Sequence, residues 1–215
     1  MSRAPSLCAV ILAAGESTRM GTEKALLPWP PVGATQTPAG NTFLSAAIHA
    51  LSPWSDMVIV VVGHNEATLA PVVYANGGEV VRNPAPERGQ FSSLQTGLRE
   101  VLNHGRDAAM VTLVDRPPVS AATLQTLHSA FADALENRKW AVIPECGGRH
   151  GHPILAGREM IEAFLRADAT STAREVERQN QEHIQYIAVD DPWMAANINT
   201  PEDYAALQAG HRRNG

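Results

Sequence analysis

Cationic and acidic side chains follow two separate apolar runs of this chain. Arg19 and Lys24 lie in a loop with two glycines, directly after the run Leu7–Leu12, and Asp115 ends a later run. Arginine binds phosphate oxygens in a bidentate way, lysine adds a mobile charge, and such a loop can turn its backbone N–H groups toward an anion. A carboxylate suits Mg²⁺, which combines one or two protein carboxylates with phosphate oxygens and water. The pattern predicts a site for a metal–polyphosphate.

Two common phosphate-binding motifs do not match this loop. A P-loop needs serine or threonine after its lysine, but Ala25 follows Lys24. The dinucleotide-binding fingerprint needs three glycines in a fixed frame, and the loop has only Gly15 and Gly21. Two bland alternatives therefore stay open: a surface turn with solvated cations, and Asp115 as an ordinary turn residue.

The elements that must position these residues are short apolar runs alternating with amphipathic segments. This rhythm is typical of βαβ units and a mostly parallel sheet. Strands are predicted at 7–12, 57–62, 79–81, 108–114, 141–143, 154–155 and 184–189. Helices are predicted at 42–51, 66–75, 121–136, 158–166 and 171–180, from Ser92 or Ser93 to about 103, and from 200 onward. Ligands of open α/β sheets bind at the carboxyl ends of strands, so the loop and Asp115 should share one crevice.

Composition limits the class of protein. With 215 residues, 44% hydrophobic and 18% charged, we expect one α/β domain over residues 1–215, with its core at about 7–209. A net charge of −5 without a basic run does not favour a nucleic-acid partner. The apolar stretch Leu7–Ala14 is too short to span a bilayer, so we predict a cytoplasmic protein without a membrane partner. Cys8 and Cys146 suggest neither a disulfide framework nor a zinc site.

The loop after the first strand resembles the signature of the MobA-like NTP transferases. The matching residues are Leu12, Ala13, Ala14, Gly15, Ser17, Arg19, Met20, Gly21, Lys24, Leu26, Leu27 and Pro28. The form Leu-Ala-Ala-Gly is most similar to the molybdenum cofactor cytidylyltransferase branch, whereas guanosine-using members tend to carry Leu-Ala-Gly-Gly. The resemblance covers roughly residues 7–209 and implies a three-layer sandwich with a mostly parallel central sheet, a Rossmann-like, GT-A-like nucleotidyltransferase fold.

The resemblance also implies roles for single residues. Arg19 and Lys24 would bind phosphates, and Asp115 matches the metal-binding aspartate of the family. Asn199 matches a second position near the metal, although the segment after it is also a good helix start. The residues implied to contact the nucleotide are Leu12, Ala13, Ala14, Gly15, Arg19, Lys24, Asn83, Gln90 and Ser93.

Base recognition is implied for the segment from Asn83 to Leu98. Ser93 is the best match for a base contact and Gln90 the next, with simple helix capping by Ser92 or Ser93 as the alternative. A helix N-terminus offers free N–H groups that suit a pyrimidine carbonyl or a phosphate.

The acceptor is implied to face the segment Gly147–Leu155. There His152 either orients an acceptor phosphate or only shapes the turn before Pro153, and His150 and His152 lack a third ligand at metal spacing. The chain departs from the family at Val114, Arg116 (usually Gln or Met), the insertion 29–40 and the segment 167–174. These departures leave the identity of the acceptor open.

The reaction implied by the resemblance is the Mg²⁺-dependent transfer of CMP from CTP to a phosphorylated acceptor such as molybdopterin, with release of pyrophosphate. It also implies contact with a molybdoenzyme or its maturation factor. One alternative is a cytidylyltransferase for a small phosphorylated alcohol or sugar. Another is a non-catalytic nucleotide-binding module that acts in enzyme maturation. A Rossmann oxidoreductase is disfavoured because the third glycine of its fingerprint is missing.

Overall fold

A sheet of eight strands runs through the part of the chain that this computed structural model describes, residues 6–30, 41–168 and 170–214. The strands are β1 (Leu7–Leu12), β2 (Met57–Val62), β3 (Glu79–Arg82), β4 (Ala108–Leu113), β5 (Ala141–Cys146), β6 (Arg149–His150), β7 (Ile154–Gly157) and β8 (Ile184–Ala188). Their order is β3-β2-β1-β4-β7-β5-β6, and β8 pairs with β5. The predicted α/β class is confirmed.

The sheet is mixed rather than uniformly parallel. Strands β3, β2, β1 and β4 are parallel, as are β5 and β8, but β7 is antiparallel to both β4 and β5, and β6 is antiparallel to β5. The reversal occurs at Gly147 and Gly148, whose φ angles are 57° and 74°. A two-residue hairpin turn of type I′ has positive φ at both central positions, which glycine adopts without strain. This hairpin accounts for the antiparallel part and for the short strand β6, which the sequence analysis did not predict.

Helices are present in all the predicted regions. They are α1 (Phe43–Leu51), α2 (Glu66–Ala75), α3 (Gln90–Asn103), α4 (Ala121–Glu136), α5 (Arg158–Arg166), α6 (Ala173–Gln179) and α7 (Pro201–Asn214). Capping boxes fix the starts of α1, at Thr42, and of α6, at Thr172. The insertion at residues 29–40 lies largely outside the described residues. No helix of the described part combines the length and apolarity needed to cross a bilayer.

Alternating side chains of the central strands feed two hydrophobic layers. On β1, Ala9 and Ile11 pack with α1, α2 and α4, whereas Cys8, Val10 and Leu12 pack with α3, α5 and α6. This is the three-layer arrangement, because successive residues of a strand point to opposite faces of a sheet. Burial raises the pKa of the Cys8 thiol to about 12, so it stays a neutral, small apolar group. Both Cys8 and Cys146 are free thiols.

A smaller apolar cluster ties the C-terminal helix to the loop after β1. Tyr204 and Leu207 of α7 pack with Met20, Phe43 and their neighbours. The Tyr204 hydroxyl donates a hydrogen bond to the carbonyl oxygen of Pro28, at 2.9 Å. The last segment of the chain is thereby held against its first loop.

Candidate active site

Four predicted site residues converge at the carboxyl ends of β1 and β4. Lys24 Nζ lies 3.2 Å from Asp115 Oδ2 and 3.0 Å from Asn199 Oδ1. Arg19 Nη2 lies 3.4 Å from the same Asn199 oxygen. The side chains of Lys24 and Asp115 are 13% and 21% exposed, so the pair is shielded from water while one side stays open. The oxygen atoms of Asp115 and Asn199 therefore both face the ammonium group of Lys24.

Strand register brings these residues together. Leu12 of β1 lies opposite Leu113 of β4, so the loop after β1 and Asp115 leave the sheet side by side. The third segment is joined by the backbone N–H of Ile198, which donates to the carbonyl oxygen of Asp115 at 2.9 Å. The site thus consists of three segments that are far apart in the sequence.

The loop after β1 is held by polar side chains behind Lys24. The Ser17 hydroxyl donates to Glu23 Oε1 and accepts from the backbone N–H of Lys24, both at 3.1 Å. Asn65 Nδ2 donates to Glu23 Oε2 at 3.0 Å and to the carbonyl oxygen of Ala13 at 2.9 Å. Sequence analysis missed Glu23 and Asn65. The only signal was their position, just before Lys24 and just after β2.

Asn199 is fixed by the start of α7. Asp203 Oδ2 accepts from the backbone N–H groups of Asn199 and Thr200, both at 2.9 Å. These hydrogen bonds, from Asn199 first, lower the pKa of Asp203 and favour its charged form. The segment is a helix start, as expected, and this start aims Asn199 at Lys24. The role of Asn199 near a metal stays a prediction.

Asn197 is a further polar neighbour that sequence analysis did not single out. With its amide nitrogen turned toward the carboxylate, the side chain donates to Asp115 Oδ2 and Oδ1 at 3.2 and 3.3 Å. In the same orientation its oxygen accepts from Asn199 Nδ2 at 2.6 Å. Asn197 thereby orients both Asp115 and Asn199.

A cleft of about 190 Å³ opens beside this cluster. The predicted residues that line it are Leu12, Ala14, Gly15, Lys24, Gln90, Ser93 and Asp115. Helix α3 begins in its wall at Gln90, and no side chain caps this helix end. The free N–H groups of such an end bind carbonyl or phosphate oxygens. Most of the residues predicted to contact a nucleotide therefore share one cleft.

The expected cap at Ser92 or Ser93 is wrong. Both serines lie inside the first turn of α3, and Asn83 Nδ2 donates to their hydroxyls at 2.8 and 3.0 Å. Asn83 Oδ1 also accepts from the backbone N–H of Ala85 at 3.0 Å. Asn83 is 2% exposed, so it supports the helix start from behind the cleft wall rather than from its surface.

A larger cavity of about 980 Å³ adjoins the cleft and shares Leu12, Gly89, Gln90 and Leu113 with it. Its floor is apolar and includes the partly buried side chains of Leu113, Ile154 and Tyr186. Its wall is strongly basic and carries Arg88, Arg116, Arg149, Arg174 and Arg178. A local concentration of positive charge in a chain of net charge −5 indicates a site for an anion.

His152 also lines this cavity, but as a neutral group. Burial lowers the pKa of the imidazole to about 3, and the nearby Arg116 lowers it further in the same direction. Nδ1 lies 3.2 Å from the carbonyl oxygen of Val111, which can only accept, so Nδ1 carries the proton. The other ring nitrogen is then an acceptor and does not bind a phosphate dianion. The structure therefore favours the second interpretation, in which His152 shapes the turn before Pro153.

Glu177 supplies a pH-dependent contribution to stability. Burial raises the pKa of this carboxyl from 4.5 to about 7, although the charge of Arg174 opposes the shift. The folded protein then holds this proton more tightly than the unfolded chain, so the stability gained is complete below about pH 4.5 and is lost as pH rises through about 7. We expect the melting temperature of the Glu177→Gln variant, measured by circular dichroism, to fall less over this window than that of wild type. The exposed Glu136→Gln variant should follow wild type, and identical profiles for all three proteins would contradict the prediction.

A divalent cation fits the oxygen pair of this site. Asp115 and Asn199 supply one carboxylate and one amide oxygen, the hard ligands that Mg²⁺ prefers. Both oxygens already lie at hydrogen-bond distance from a single cationic atom, Lys24 Nζ. Within the described residues there is no group of three His, Cys, Asp or Glu side chains that could hold a metal alone. A metal at this point would therefore need phosphate oxygens to complete its ligands.

Comparison with known proteins places this geometry in context. Residues 9–184 match the sequence family of the MobA-like NTP transferase domain. A "Probable molybdenum cofactor guanylyltransferase" of Mycobacterium avium is 27% identical over 207 residues, covering 96% of this chain and 98% of that protein. The "Molybdenum cofactor cytidylyltransferase" of Escherichia coli is 24% identical over 198 residues, covering 91% and 92%.

Solved structures show the same fold. A crystal structure of Rv0371c from Mycobacterium tuberculosis has a TM-score of 0.76 at 25% identity, covering 97% of this chain and 100% of that chain. A complex of Rv0371c with manganese has a TM-score of 0.72 at 21% identity, covering 95% and 98%. The predicted Rossmann-like nucleotidyltransferase architecture is confirmed.

Proposed function

The chain belongs to the MobA-like NTP transferase domain family, and from this premise we propose that it transfers CMP from CTP to a phosphorylated acceptor. The observation that carries the proposal is the convergence of Arg19, Lys24, Asp115 and Asn199 beside the cleft. Two cations and two oxygen ligands at one point suit a metal–triphosphate better than a neutral ligand.

The chemistry requires placement and charge more than proton transfer. An acceptor phosphate oxygen attacks the α-phosphorus of the NTP in line, the new P–O bond forms, and the bond to the leaving pyrophosphate breaks. Lys24 and Arg19 neutralise the charge of the α-phosphate and the pyrophosphate as that bond breaks. A phosphate nucleophile is already ionised at neutral pH, so no general base is needed.

Asp115 and Asn199 are the residues that would hold Mg²⁺. When bound, the ion would neutralise phosphate charge and orient the phosphate oxygens. Asn197 and the start of α7 keep both oxygens aimed at the same point. Lys24 Nζ occupies that point in the structure, so it would turn toward the phosphates when the metal binds.

The acceptor would bind in the large cavity, because this cavity opens onto the cleft and its wall is basic. Molybdopterin is the candidate that the names of the relatives suggest. A small phosphorylated alcohol or sugar is the alternative acceptor. We also propose that the protein acts in the cytoplasm and contacts a molybdoenzyme or its maturation factor.

The choice of CTP depends on Ala14, because the Leu-Ala-Ala-Gly form resembles cytidine-using members, whereas the M. avium relative is named a guanylyltransferase. A thermal-shift panel of the four NTPs with Mg²⁺ tests this choice. A ligand at 100 times its dissociation constant adds about 2.7 kcal/mol of stability, so CTP should raise the melting temperature clearly and the other NTPs much less. A selective shift with GTP would overturn the cytidine assignment, and no shift with any NTP would overturn the nucleotide site.

A non-catalytic nucleotide-binding module is the second candidate function. The changed residues around Arg116 and in the segment 167–174 favour it, because they alter the acceptor side and leave the phosphate-binding residues in place. Release of pyrophosphate from an NTP and acceptor distinguishes the two functions. A chain that binds NTP but releases no pyrophosphate with any phosphorylated acceptor would be the module.

A further inference from the structure

Two arginines in the wall of the large cavity are anchored to three successive backbone carbonyls. Arg116 Nη1 donates to the carbonyl oxygens of Met194 at 3.1 Å and Ala196 at 3.5 Å. Arg149 Nη2 donates to the carbonyl oxygen between them, that of Ala195, at 3.2 Å. Both guanidinium groups are therefore oriented by the backbone and not by acidic side chains.

The carbonyl segment is itself fixed from two sides. The backbone N–H of His152 donates to the carbonyl oxygen of Met194 at 2.9 Å, and Gly151 packs so closely on Met194 that any side chain would collide with it. Three residues before this segment, the buried carboxylate of Asp191 accepts from the Ser120 backbone N–H and the Thr123 hydroxyl, both at 2.8 Å. The anchors of the two arginines are thus rigid.

The positive charge of these arginines is not neutralised by an ion pair. Among the described residues, no carboxylate lies within ion-pair distance of Arg116, Arg149 or the neighbouring Arg174. Arg116 is half-buried, and its Nε has no hydrogen-bond partner in the described structure. Burying a guanidinium without an ion-pair partner is unfavourable, so an anionic ligand beside Arg116 would stabilise its charge.

We propose that Arg116 and Arg149 form a subsite for the phosphomonoester dianion of the acceptor, with Arg174 closing it from α6. Guanidinium groups bind phosphate in a bidentate way, and two that are already oriented favour a dianion over a monoanion. Arg116 follows Asp115 directly in the chain, so the subsite adjoins the point where the acceptor phosphate would meet the nucleotide. The inference rests on the proposed function and adds the residues that select the acceptor.

The cavity floor suggests what the phosphate is attached to. Leu113, Ile154 and Tyr186 are only partly buried and form an apolar surface in the same cavity as the arginines. A ligand with a flat apolar body next to a phosphomonoester would use both surfaces. Phenyl phosphate is a simple compound of this kind, and methyl phenyl phosphate is its matched diester with a single negative charge.

The test is a calorimetric titration of the full chain with each compound at about pH 8, where a phosphomonoester with a second pKa near 6 is a dianion. Wild type should bind phenyl phosphate more tightly than the diester. Arg116→Gln and Arg149→Gln should each weaken phenyl phosphate binding by about ten- to a hundredfold, the usual effect of losing a hydrogen bond to a charged group, and should reduce the preference for the dianion. Arg166→Gln, an exposed arginine on α5, should bind like wild type.

Folding and nucleotide binding are followed in the same proteins. Circular dichroism melting checks the fold, and Arg149 is exposed, so its variant keeps the test valid if Arg116→Gln does not fold. The NTP thermal shift should persist in both variants. Phenyl phosphate binding that is absent in wild type, or unchanged in folded variants, would overturn the subsite while a persisting NTP shift leaves the proposed function standing. If no NTP raised the melting temperature of the wild-type protein, the proposed function itself would be contradicted.

Discussion

Replacing Lys24 with alanine is expected to lower the turnover of nucleotidyl transfer by on the order of 10²–10³-fold, with the fold intact. Lys24 Nζ lies within hydrogen-bond distance of both Asp115 Oδ2 and Asn199 Oδ1. Without it, the charge on the transferring phosphate and the leaving pyrophosphate is neutralised less well at the moment the bond breaks. Pyrophosphate release under saturating NTP and acceptor measures the change, and circular dichroism checks the fold.

Lys139→Ala is the matched control for this variant, because Lys139 is the other lysine of the chain, is partly buried like Lys24, and lines neither the cleft nor the large cavity. It should turn over like wild type. Lys24→Arg should recover part of the activity, since charge is kept but the planar guanidinium does not fit the same point. Equal turnover of wild type and Lys24→Ala would remove Lys24 from the catalytic site.

Asp115→Ala is expected to reduce turnover to a similar degree, and Asp115→Asn nearly as much. Asparagine keeps the shape and the acceptor oxygen of Asp115 but loses the negative charge that a divalent cation requires. The Mg²⁺ concentration for half-maximal pyrophosphate release should therefore be higher in Asp115→Asn than in wild type. Measuring the residual activity of the variant over a range of Mg²⁺ concentrations tests this. The fold should persist, because Asp115 is partly exposed and lies after the end of β4.

Asp133→Asn removes an exposed carboxylate on α4 and should leave both turnover and the Mg²⁺ requirement unchanged. Full activity of Asp115→Ala would reject the metal assignment. An Asp115→Asn variant with low turnover but the Mg²⁺ requirement of wild type would show that Asp115 acts on Lys24 and not on the metal.

The local pattern of the sequence was sufficient to predict most helices and strands. Period-two and apolar runs located the central strands, and the order of elements indicated the α/β class, because strand and helix periodicities differ and each run carries its own signal. Predictions that depended on short-range chemistry alone were weaker. Ser92 and Ser93 look like helix caps in the sequence, yet both hydroxyls accept hydrogen bonds from Asn83, which lies nine and ten residues away.

Candidate site residues could also be chosen from the sequence, since Arg19, Lys24 and Asp115 end apolar runs or lie in a recognisable loop. The distances between these residues could not be predicted, because the distances depend on the register of β1 and β4 and on the packing of α7 against the first loop. The supporting residues Glu23, Asn65 and Asn197 carried no local signal of their function.

The sequence by itself determined the order of the elements, the fold class and the residue types available for phosphate and metal. Tertiary structure alone decided that His152 is neutral and that Asn199 faces Lys24. It also decided that Arg116 and Arg149 donate hydrogen bonds to three successive backbone carbonyls. The physical reason is range. Propensity and hydrophobic periodicity act between residues a few positions apart, whereas burial, hydrogen-bond partners and the sum of nearby charges depend on segments that meet only when the chain has folded.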